Sequence, residues 1–337
     1  MVAAMRVVEL GDRHQMAAAY AGRLLVALGE GVTRVDSVEP DLDAASDLYL
    51  NHGKERVVLA GSDLTALIAE ADAVICDLPA ARVAELRLDQ RSDVPVISIT
   101  PFGLDGPYRD WKATPATLLA LGGYSHIIGD PDRAPLTLPG RYPEYAGGLY
   151  GLAALYALRH ASRAAFVEVS LFETVVALHQ YTVVDWTYMG EIRGRYLNRF
   201  ANIAPVGMYP CADGWIGVAG LPPVWDALVA LLDHDELNDG SFDDQNERWH
   251  RRDELDRIIR EALVERTAGE LETLGQFEHR VPIGAMRTMG DLLDDPHLRE
   301  RGFWSRNVTA DSCSVRLPRA PFVLTDADHT RPRDGQG

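Results

Sequence analysis

The sequence predicts an α/β fold with a doubly wound parallel sheet. Short apolar runs rich in β-branched residues alternate with helix-like runs through the first third of the 337 residues. Strand–helix–strand alternation at this spacing is typical of parallel sheets. Hydrophobic residues make up 47% of the chain, which is enough for a large core, and the length allows two domains or one large domain with an insertion.

The elements of the first third follow in order. MRVVEL is the first strand, QMAAAYAGRLLVALGEG is a helix that ends in glycine, and VTRVDSV is the next strand. DLTALIAEA is a helix with Asp63 as its N-cap, and DAVICDL and VPVISIT are two further strands. Ligands of such sheets lie outside the carboxyl ends of the strands. The loops after Leu10, Leu78 and Thr100 are therefore expected to form the site.

The order of predicted strands and helices changes near residue 203. Residues 148–161 predict a helix, and the run from 164 to 188 predicts a strand that leads into a helix. A hairpin around Asp213-Gly214 comes next, followed by two helical runs. These signals predict a large domain of residues 1–202, to which 291–337 return, and a smaller α+β domain of residues 203–290.

Charge and composition exclude several classes of protein. The formal net charge of −17 disfavours a nucleic-acid partner, since such proteins usually carry a basic face. No apolar run reaches the roughly 18 residues that a membrane span requires. The three cysteines, Cys76, Cys211 and Cys313, lie far apart without metal-ligand spacing, which predicts a cytoplasmic protein with no disulfide framework and no metal. Dinucleotide-binding, Walker and serine-hydrolase motifs are absent from the sequence.

Two polar residues and one glycine-rich segment in the predicted loops are candidate parts of a site. Lys54, in NHGKER, either holds a phosphate as a point charge or is a solvated turn lysine. The segment Ile99–Tyr108 is either a loop that brings backbone N–H groups close to a ligand or an ordinary turn. His126 is expected to be a loop histidine without a catalytic role, because no partner can be identified for it.

Glu144, in RYPEYAGG, is the candidate reactive carboxylate. It is the only acidic residue between Asp132 and Glu168, and it comes just before a helix-like run. A helix N-terminus favours an ionised carboxylate, which suits a nucleophile. The alternative is that Glu144 only caps the helix.

Six segments in the same order resemble the class III CoA-transferases, the family of formyl-CoA transferase and carnitine CoA-transferase that also includes α-methylacyl-CoA racemase. The resemblance runs from about residue 5 to 323 and rests on AAAYAGRLLVALGEGVTRVD, LNHGKERVVL, ITPFGLDGPY, VEVSLFETV, YPCADGWIGVA and VPIGAMRTMGDLLDDPHLRERGFW. It implies a Rossmann-like large domain, a small domain, and a homodimer of two subunits interlinked like chain rings.

The resemblance also implies a mechanism. In the transferases an aspartate at the start of a helix attacks the acyl-CoA thioester, and CoA is then captured as an enzyme thioester before a carboxylic acid takes it. The family spacing of Asp, three residues and Gly is matched by Glu144 and Gly148, with glutamate in place of aspartate. Glutamate can form the same acyl intermediates, although it reaches about one C–C bond further.

CoA or acyl-CoA is thus the expected ligand, as a substrate. The positions expected to bind it, from the resemblance and the strand-end rule, are Gln15, Arg34, Lys54, Leu78, Pro101, Gly103, Gly122 and Gly123. The arginine that binds phosphate in the family after the second strand is replaced near Ser37.

Two other functions remain as alternatives. One is a non-catalytic acyl-CoA-binding homologue or scaffold subunit, which the missing aspartate favours. The other is an acyl-CoA racemase or isomerase, but the place of the racemase His-Asp pair reads Thr114-Pro115 and offers no base.

Overall fold

The structure is a computed structural model that describes residues 3–11, 15–36, 42–200, 203–305, 308–310 and 313–324. The strands are β1 Arg6–Leu10, β2 Gly31–Val35, β3 Glu55–Val57, β4 Ala73–Cys76, β5 Val96–Thr100, β6 Phe166–Ser170, β7 Val206–Cys211, β8 Gly214–Ala219, β9 Ile283–Ala285, β10 Val308–Ala310 and β11 Cys313–Val315. The helices are α1 Ala17–Ala27, α2 Ala44–Asn51, α3 Gly61–Ala69, α4 Ala80–Glu85, α5 Pro115–Leu121, α6 Tyr124–Ile127, α7 Tyr142–His160, α8 Leu171–Ala177, α9 Gln180–Met189, α10 Trp225–Leu232, α11 Gln245–His250, α12 Arg252–Leu263, α13 Ala268–Thr273, α14 Met289–Asp294 and α15 Pro296–Glu300.

A six-stranded parallel sheet in the order β3-β2-β1-β4-β5-β6 confirms the predicted α/β fold. The chain order reverses between β1 and β4, and open sheets of this order bind ligands at that point, outside the carboxyl ends of the strands. The central strands β4 and β5 are buried along their whole length, as their continuous β-branched runs require.

The chain divides into two compact units. The first comprises residues 1–124, 137–184 and 297–337, and the second comprises 125–136 and 185–296. The first unit holds the parallel sheet, and the second holds the antiparallel sheet β7-β8-β9 with a core of its own. These limits differ from the predicted domains at 125–136, 185–202 and 291–296, and the predicted division 1–202, 203–290 and 291–337 stays a prediction.

Most predicted elements are present, and two details differ. The hairpin around Asp213-Gly214 is formed by β7 and β8. Asp63 is not the N-cap of α3, which begins at Gly61 after Ala60, so its carboxylate lies inside the first turn. The helix predicted over 148–161 begins earlier, at Tyr142, because Pro143 fits the first turn, where a backbone N–H is not needed.

Candidate active site

The long helix α7 places Glu144 at the carboxyl edge of the sheet. A Cβ on Gly147 would lie 3.5 Å from Ile99, and one on Gly151 would lie 3.2 Å from Ile97. The helix therefore runs down β5 from the carboxyl end of that strand. Glu144 comes one turn before Gly147, in the first turn of α7, at the edge where β1, β4 and β5 all end.

Glycine is required where α7 crosses α1. A Cβ on Gly148 would lie 2.6 Å from the carbonyl oxygen of Ala17, a distance that real Cβ atoms do not reach. A backbone atom cannot move aside as a flexible side chain can. Gly148, four positions after Glu144, thus has a structural reason: the glycine lets the second turn of α7 lie close to the start of α1.

Glu144 is buried and held by one cation. Its side chain is 2% exposed, and Nη1 of Arg141 donates to Oε1 at 3.0 Å and to Oε2 at 3.1 Å. Burial raises the pKa of Glu144, while the charge and hydrogen bonds of Arg141 lower it, and burial has the larger effect. The pKa of Glu144 is therefore raised, whereas the sequence suggested a helix start that favours the ionised form.

Arg141 is the partner of Glu144 that sequence reasoning missed. It is the N-cap residue of α7, three positions before Glu144, and its side chain is 35% exposed. A cation at a helix N-terminus opposes the helix dipole. Such a charge beside the candidate carboxylate was the available signal, and it is visible in the sequence RYPE.

Lys54 is neither a solvated lysine nor a free cation. Its side chain is 0% exposed, and its ammonium group lies 2.7 Å from Oε2 of Glu9. It also donates to the carbonyl oxygen of Ala19 at 2.9 Å and to Oδ1 of Asn51 at 3.0 Å. An ammonium group has three protons, and these three acceptors account for them.

Arg34 belongs to the same internal network. Its side chain is 1% exposed, with Nη1 at 2.6 Å from Glu9 and Nε at 3.0 Å from Asp36. A phosphate could reach Arg34 or Lys54 only by displacing buried carboxylates, so the geometry gives no support to either as a CoA contact, and their assignment stays a prediction. Ser37 lies outside the described residues.

The loop after β5 is held from within. Gly103 is buried with φ +92°, and its N–H donates to Oγ1 of Thr100 at 2.9 Å. The N–H of Leu104 donates to Oε1 of Glu168 at 3.0 Å. These two N–H groups are occupied, so an oxyanion at this loop would have to displace Thr100 or Glu168 to use them.

Gly122 and Gly123 end helix α5. Their N–H groups donate to Leu118 and Ala120, at 2.8 and 3.2 Å. A Cβ on Gly122 would lie 2.2 Å from Val175, which explains the glycine by close packing of α5 and α8. Both residues have a structural role, and a role in CoA binding stays a prediction.

The remaining predicted positions occupy the edge itself. Gln15, Leu78 and Pro101 are each half-buried and follow β1, β4 and β5, which are neighbours in the sheet. His126 is exposed on α6. Thr114 caps α5 through a reciprocal pair of hydrogen bonds with Thr117, so no base occupies that position.

One group in the described part of the chain has metal-ligand geometry. Atoms of His234, Glu236 and Glu261 lie within 4.8 Å of one another. Arg257 pairs with Glu236 at 2.6 Å and with Glu261 at 2.8 Å, which makes the group a surface ion-pair network. Among the same described residues, no helix has the length and hydropathy of a membrane span.

Comparison with known proteins identifies the family of the chain. The model of the family described as CoA-transferase family III matches residues 2–335. A succinyl-CoA–D-citramalate CoA-transferase of Chloroflexus aurantiacus is 30% identical over 252 residues, which cover 72% of this chain and 62% of that protein. A succinate–glutarate CoA-transferase of Agrobacterium fabrum is 24% identical over 357 residues, covering 95% and 88%.

Solved structures share the fold. The crystal structure of a CAIB/BAIF family protein from Brucella suis superposes with a TM-score of 0.81 at 24% identity, covering 98% of this chain and 95% of that one. Rv3272 from Mycobacterium tuberculosis gives a TM-score of 0.78 at 22% identity, covering 97% and 93%.

Proposed function

The chain belongs to CoA-transferase family III, and from that membership we propose that it moves CoA between an acyl-CoA and a carboxylic acid with Glu144 as the nucleophile. Enzymes of this family work through a thioester between CoA and an enzyme carboxylate. The observation that supports Glu144 is its position: a buried carboxylate in the first turn of α7, at the carboxyl edge of the sheet.

The chemistry needs only this carboxylate and the two substrates. The Glu144 carboxylate attacks the acyl-CoA carbonyl, the CoA thiolate leaves, and a mixed anhydride forms. The thiolate attacks the Glu144 carbonyl and releases the donor acid, which leaves CoA on the enzyme. The acceptor carboxylate then repeats these two steps in reverse, which produces the new acyl-CoA and restores Glu144.

We propose that CoA lies along the edge formed by the loops that hold Gln15, Leu78 and Pro101. The half-buried state of these positions supports the proposal, as does their place after neighbouring strands. The matched Chloroflexus and Agrobacterium enzymes are named for succinyl-CoA and succinate. Succinyl-CoA is therefore the first donor to test.

A homodimer in the cytoplasm belongs to the same proposal. No residue of α9 is buried, and its apolar side chains are exposed, with Trp186 at 55% and Tyr188 at 86%. Exposed apolar surface on this scale marks an interaction site, which supports a partner subunit interlinked with this one. The free thiols of Cys76 and Cys211 suit a reducing compartment.

A non-catalytic acyl-CoA-binding protein is the second candidate. It is favoured by the longer glutamate side chain and by Arg141, which binds both carboxylate oxygens. A misplacement of about 1 Å can reduce a rate by roughly a hundredfold. The racemase alternative lacks support, because Thr114 is a helix cap and offers no base.

The deciding experiment is intact-protein mass spectrometry after incubation with succinyl-CoA. Wild type should gain the mass of CoA less one water, as a thioester requires, and Glu144→Gln should gain nothing while still binding CoA. Glu173→Gln is the matched control. Glu173 is the third residue of α8, as Glu144 is the third residue of α7, but Glu173 is exposed. Equal adducts in wild type and Glu144→Gln would show that Glu144 is only a cap. CoA binding without an adduct from any acyl-CoA would favour the non-catalytic candidate.

A further inference from the structure

Arg141 has a position that helix stability does not explain. Its guanidinium sits at the N-terminal end of α7, where the helix dipole disfavours a cation. It nevertheless contacts both oxygens of Glu144, and it is 35% exposed while Glu144 is 2% exposed. The guanidinium therefore lies between a buried carboxylate and solvent.

Charge balance shows what such a cation can do. The resting enzyme carries one negative charge on Glu144. In the anhydride that charge is on the departing CoA thiolate, and in the enzyme thioester it is on the released donor acid. The acceptor brings it back as a carboxylate, and the last step returns it to Glu144. One negative charge thus passes in turn among Glu144, the CoA thiolate and the two acids, and each of these groups carries it when it reacts at Glu144.

We propose that Arg141 binds this charge throughout the cycle, and that it holds the donor or acceptor carboxylate while Glu144 carries CoA. The inference rests on the proposed nucleophilic role of Glu144. Once the Glu144 carboxylate becomes a neutral thioester, it no longer offers Arg141 a negative charge. A guanidinium suits the next partner, because its planar donors match a carboxylate in geometry.

The other cations expected at the site form ion pairs with a different carboxylate. Arg34 and Lys54 are 1% and 0% exposed and pair with Glu9. Of the described residues, Arg141 is the cation that acts on Glu144. Among the described residues, the phenol of Tyr145 on α7 interacts with Glu144 and Arg141, and its ring packs 4.7 Å from that of Tyr20 on α1. Burial raises the pKa of both phenols, so neither supplies a charge near neutrality.

The test separates the two half-reactions. Enzyme loaded with CoA from succinyl-CoA is mixed with increasing concentrations of an acceptor acid, and the discharge rate is followed. Arg141→Gln should raise the half-saturating acceptor concentration by roughly tenfold or more, as expected for a lost charge-assisted bond, while free CoA binds as before. Arg141→Lys should have a half-saturating acceptor concentration between those of wild type and Arg141→Gln. Arg163→Gln is the control, since Arg163 is exposed and its loss changes the net charge equally.

Chemical rescue distinguishes anion binding from a structural role. Millimolar guanidinium, well below denaturing concentrations, should restore discharge in Arg141→Ala and leave Arg163→Gln unchanged. If Arg141→Gln forms no adduct, Arg141→Ala is tested with added guanidinium instead. Failure of guanidinium to restore the adduct in Arg141→Ala would overturn the inference. An acceptor half-saturation within about twofold of wild type in Arg141→Gln would also overturn it. A wild-type enzyme without an adduct at Glu144 would instead refute the proposed function.

Discussion

At the scale of single residues, Glu144 as the proposed nucleophile has to meet two opposing requirements. A nucleophilic carboxylate must be ionised, but burial favours its neutral form and raises its pKa despite the Arg141 cation. Folding then disfavours the charged form, and this destabilisation is offset by the rest of the fold. Such strain is common at active sites, where function and stability make different demands.

The first prediction is that Glu144→Gln is more stable than wild type at neutral pH. An acid with a raised folded pKa binds more protons folded than unfolded. Its contribution to the free energy of unfolding therefore falls as pH rises from its ordinary pKa towards the raised value. Glutamine avoids this loss, and Arg141 stays partly hydrated. Thermal unfolding should show a higher Tm for Glu144→Gln at pH 7, with the difference shrinking in acid. Glu173→Gln, on an exposed site, should show no such difference.

The second prediction concerns the buried charges around Glu9. Lys54→Met keeps most of the side-chain volume but removes one of the two cations that hold a fully buried carboxylate. Breaking a buried pair costs about 3–5 kcal/mol, and urea unfolding should show a loss of that order. Arg56→Gln is the control, because the Arg56 side chain is 41% exposed and exposed pairs contribute roughly 1 kcal/mol or less. A loss for Lys54→Met no larger than for Arg56→Gln would contradict this account.

CoA binding by the same variant tests the remaining alternative for Lys54. If Lys54 serves only the internal network, the folded Lys54→Met protein should bind CoA nearly as well as wild type. A salt-dependent loss of CoA affinity, with the fold intact, would support the phosphate contact that the resemblance implied.

At the scale of elements, the helix α7 connects the sheet to the site. Its glycines let it lie against β5 and α1, and that close approach brings the first turn to the edge of the sheet. The position of Glu144 thus depends on residues one and two turns away. A side chain at any of these glycines would move the helix start, and with it the carboxylate.

The third prediction is that Gly148→Ala lowers both stability and transfer activity. The added Cβ would lie 2.6 Å from the Ala17 carbonyl oxygen, so the helices must separate, at a cost of about 1–3 kcal/mol. Gly269→Ala is the control, because that glycine lies in α13 with nothing within 4 Å of a Cβ. There alanine should be neutral or gain up to about 1 kcal/mol. Equal effects at the two glycines would show that close packing does not explain Gly148.

The sequence predicted elements better than it predicted contacts. Strands β4 and β5 were recognised because buried parallel strands are continuous apolar runs, and the hairpin because Asp213-Gly214 is a local turn signal. The start of α7 was missed because Pro143 resembles a break in the pattern. The partnership of Lys54 with Glu9 joins residues 45 positions apart, and only the parallel pairing of the strands brings them together.

The candidate site shows the same limit. Glu144 could be chosen from the sequence because no other carboxylate lies between Asp132 and Glu168. Its burial and its bond to Arg141 depend on how α7 packs, which periodicity does not reveal. The cation itself was visible three residues away, and the conflict between its charge and the helix dipole could have identified it.

At the scale of the whole molecule, the exposed apolar surface of α9 calls for an explanation. Five of its apolar side chains are more than half exposed: Tyr181, Val184, Trp186, Tyr188 and Met189. Contact of so many apolar side chains with solvent is unfavourable, because each Å² of apolar surface left in water costs about 25 cal/mol of free energy. A net charge of −17 opposes aggregation through such a patch, but charge does not remove the hydrophobic force that would cover it.

The last prediction is that a second copy of the chain covers α9 and that Tyr188→Glu weakens the dimer. Tyr188 is 86% exposed in the single chain, so a glutamate there does not disturb the fold of one subunit, yet it would be buried without a partner in an apolar interface. Light scattering over a micromolar concentration range should show a dimer for wild type and a larger monomer fraction for Tyr188→Glu. Val58→Glu places the same charge on a valine that is 61% exposed outside α9, and it should leave the dimer intact. A stable wild-type monomer at micromolar concentration would reject the dimer. A dimer equally tight in Tyr188→Glu would mean that some surface other than α9 joins the subunits.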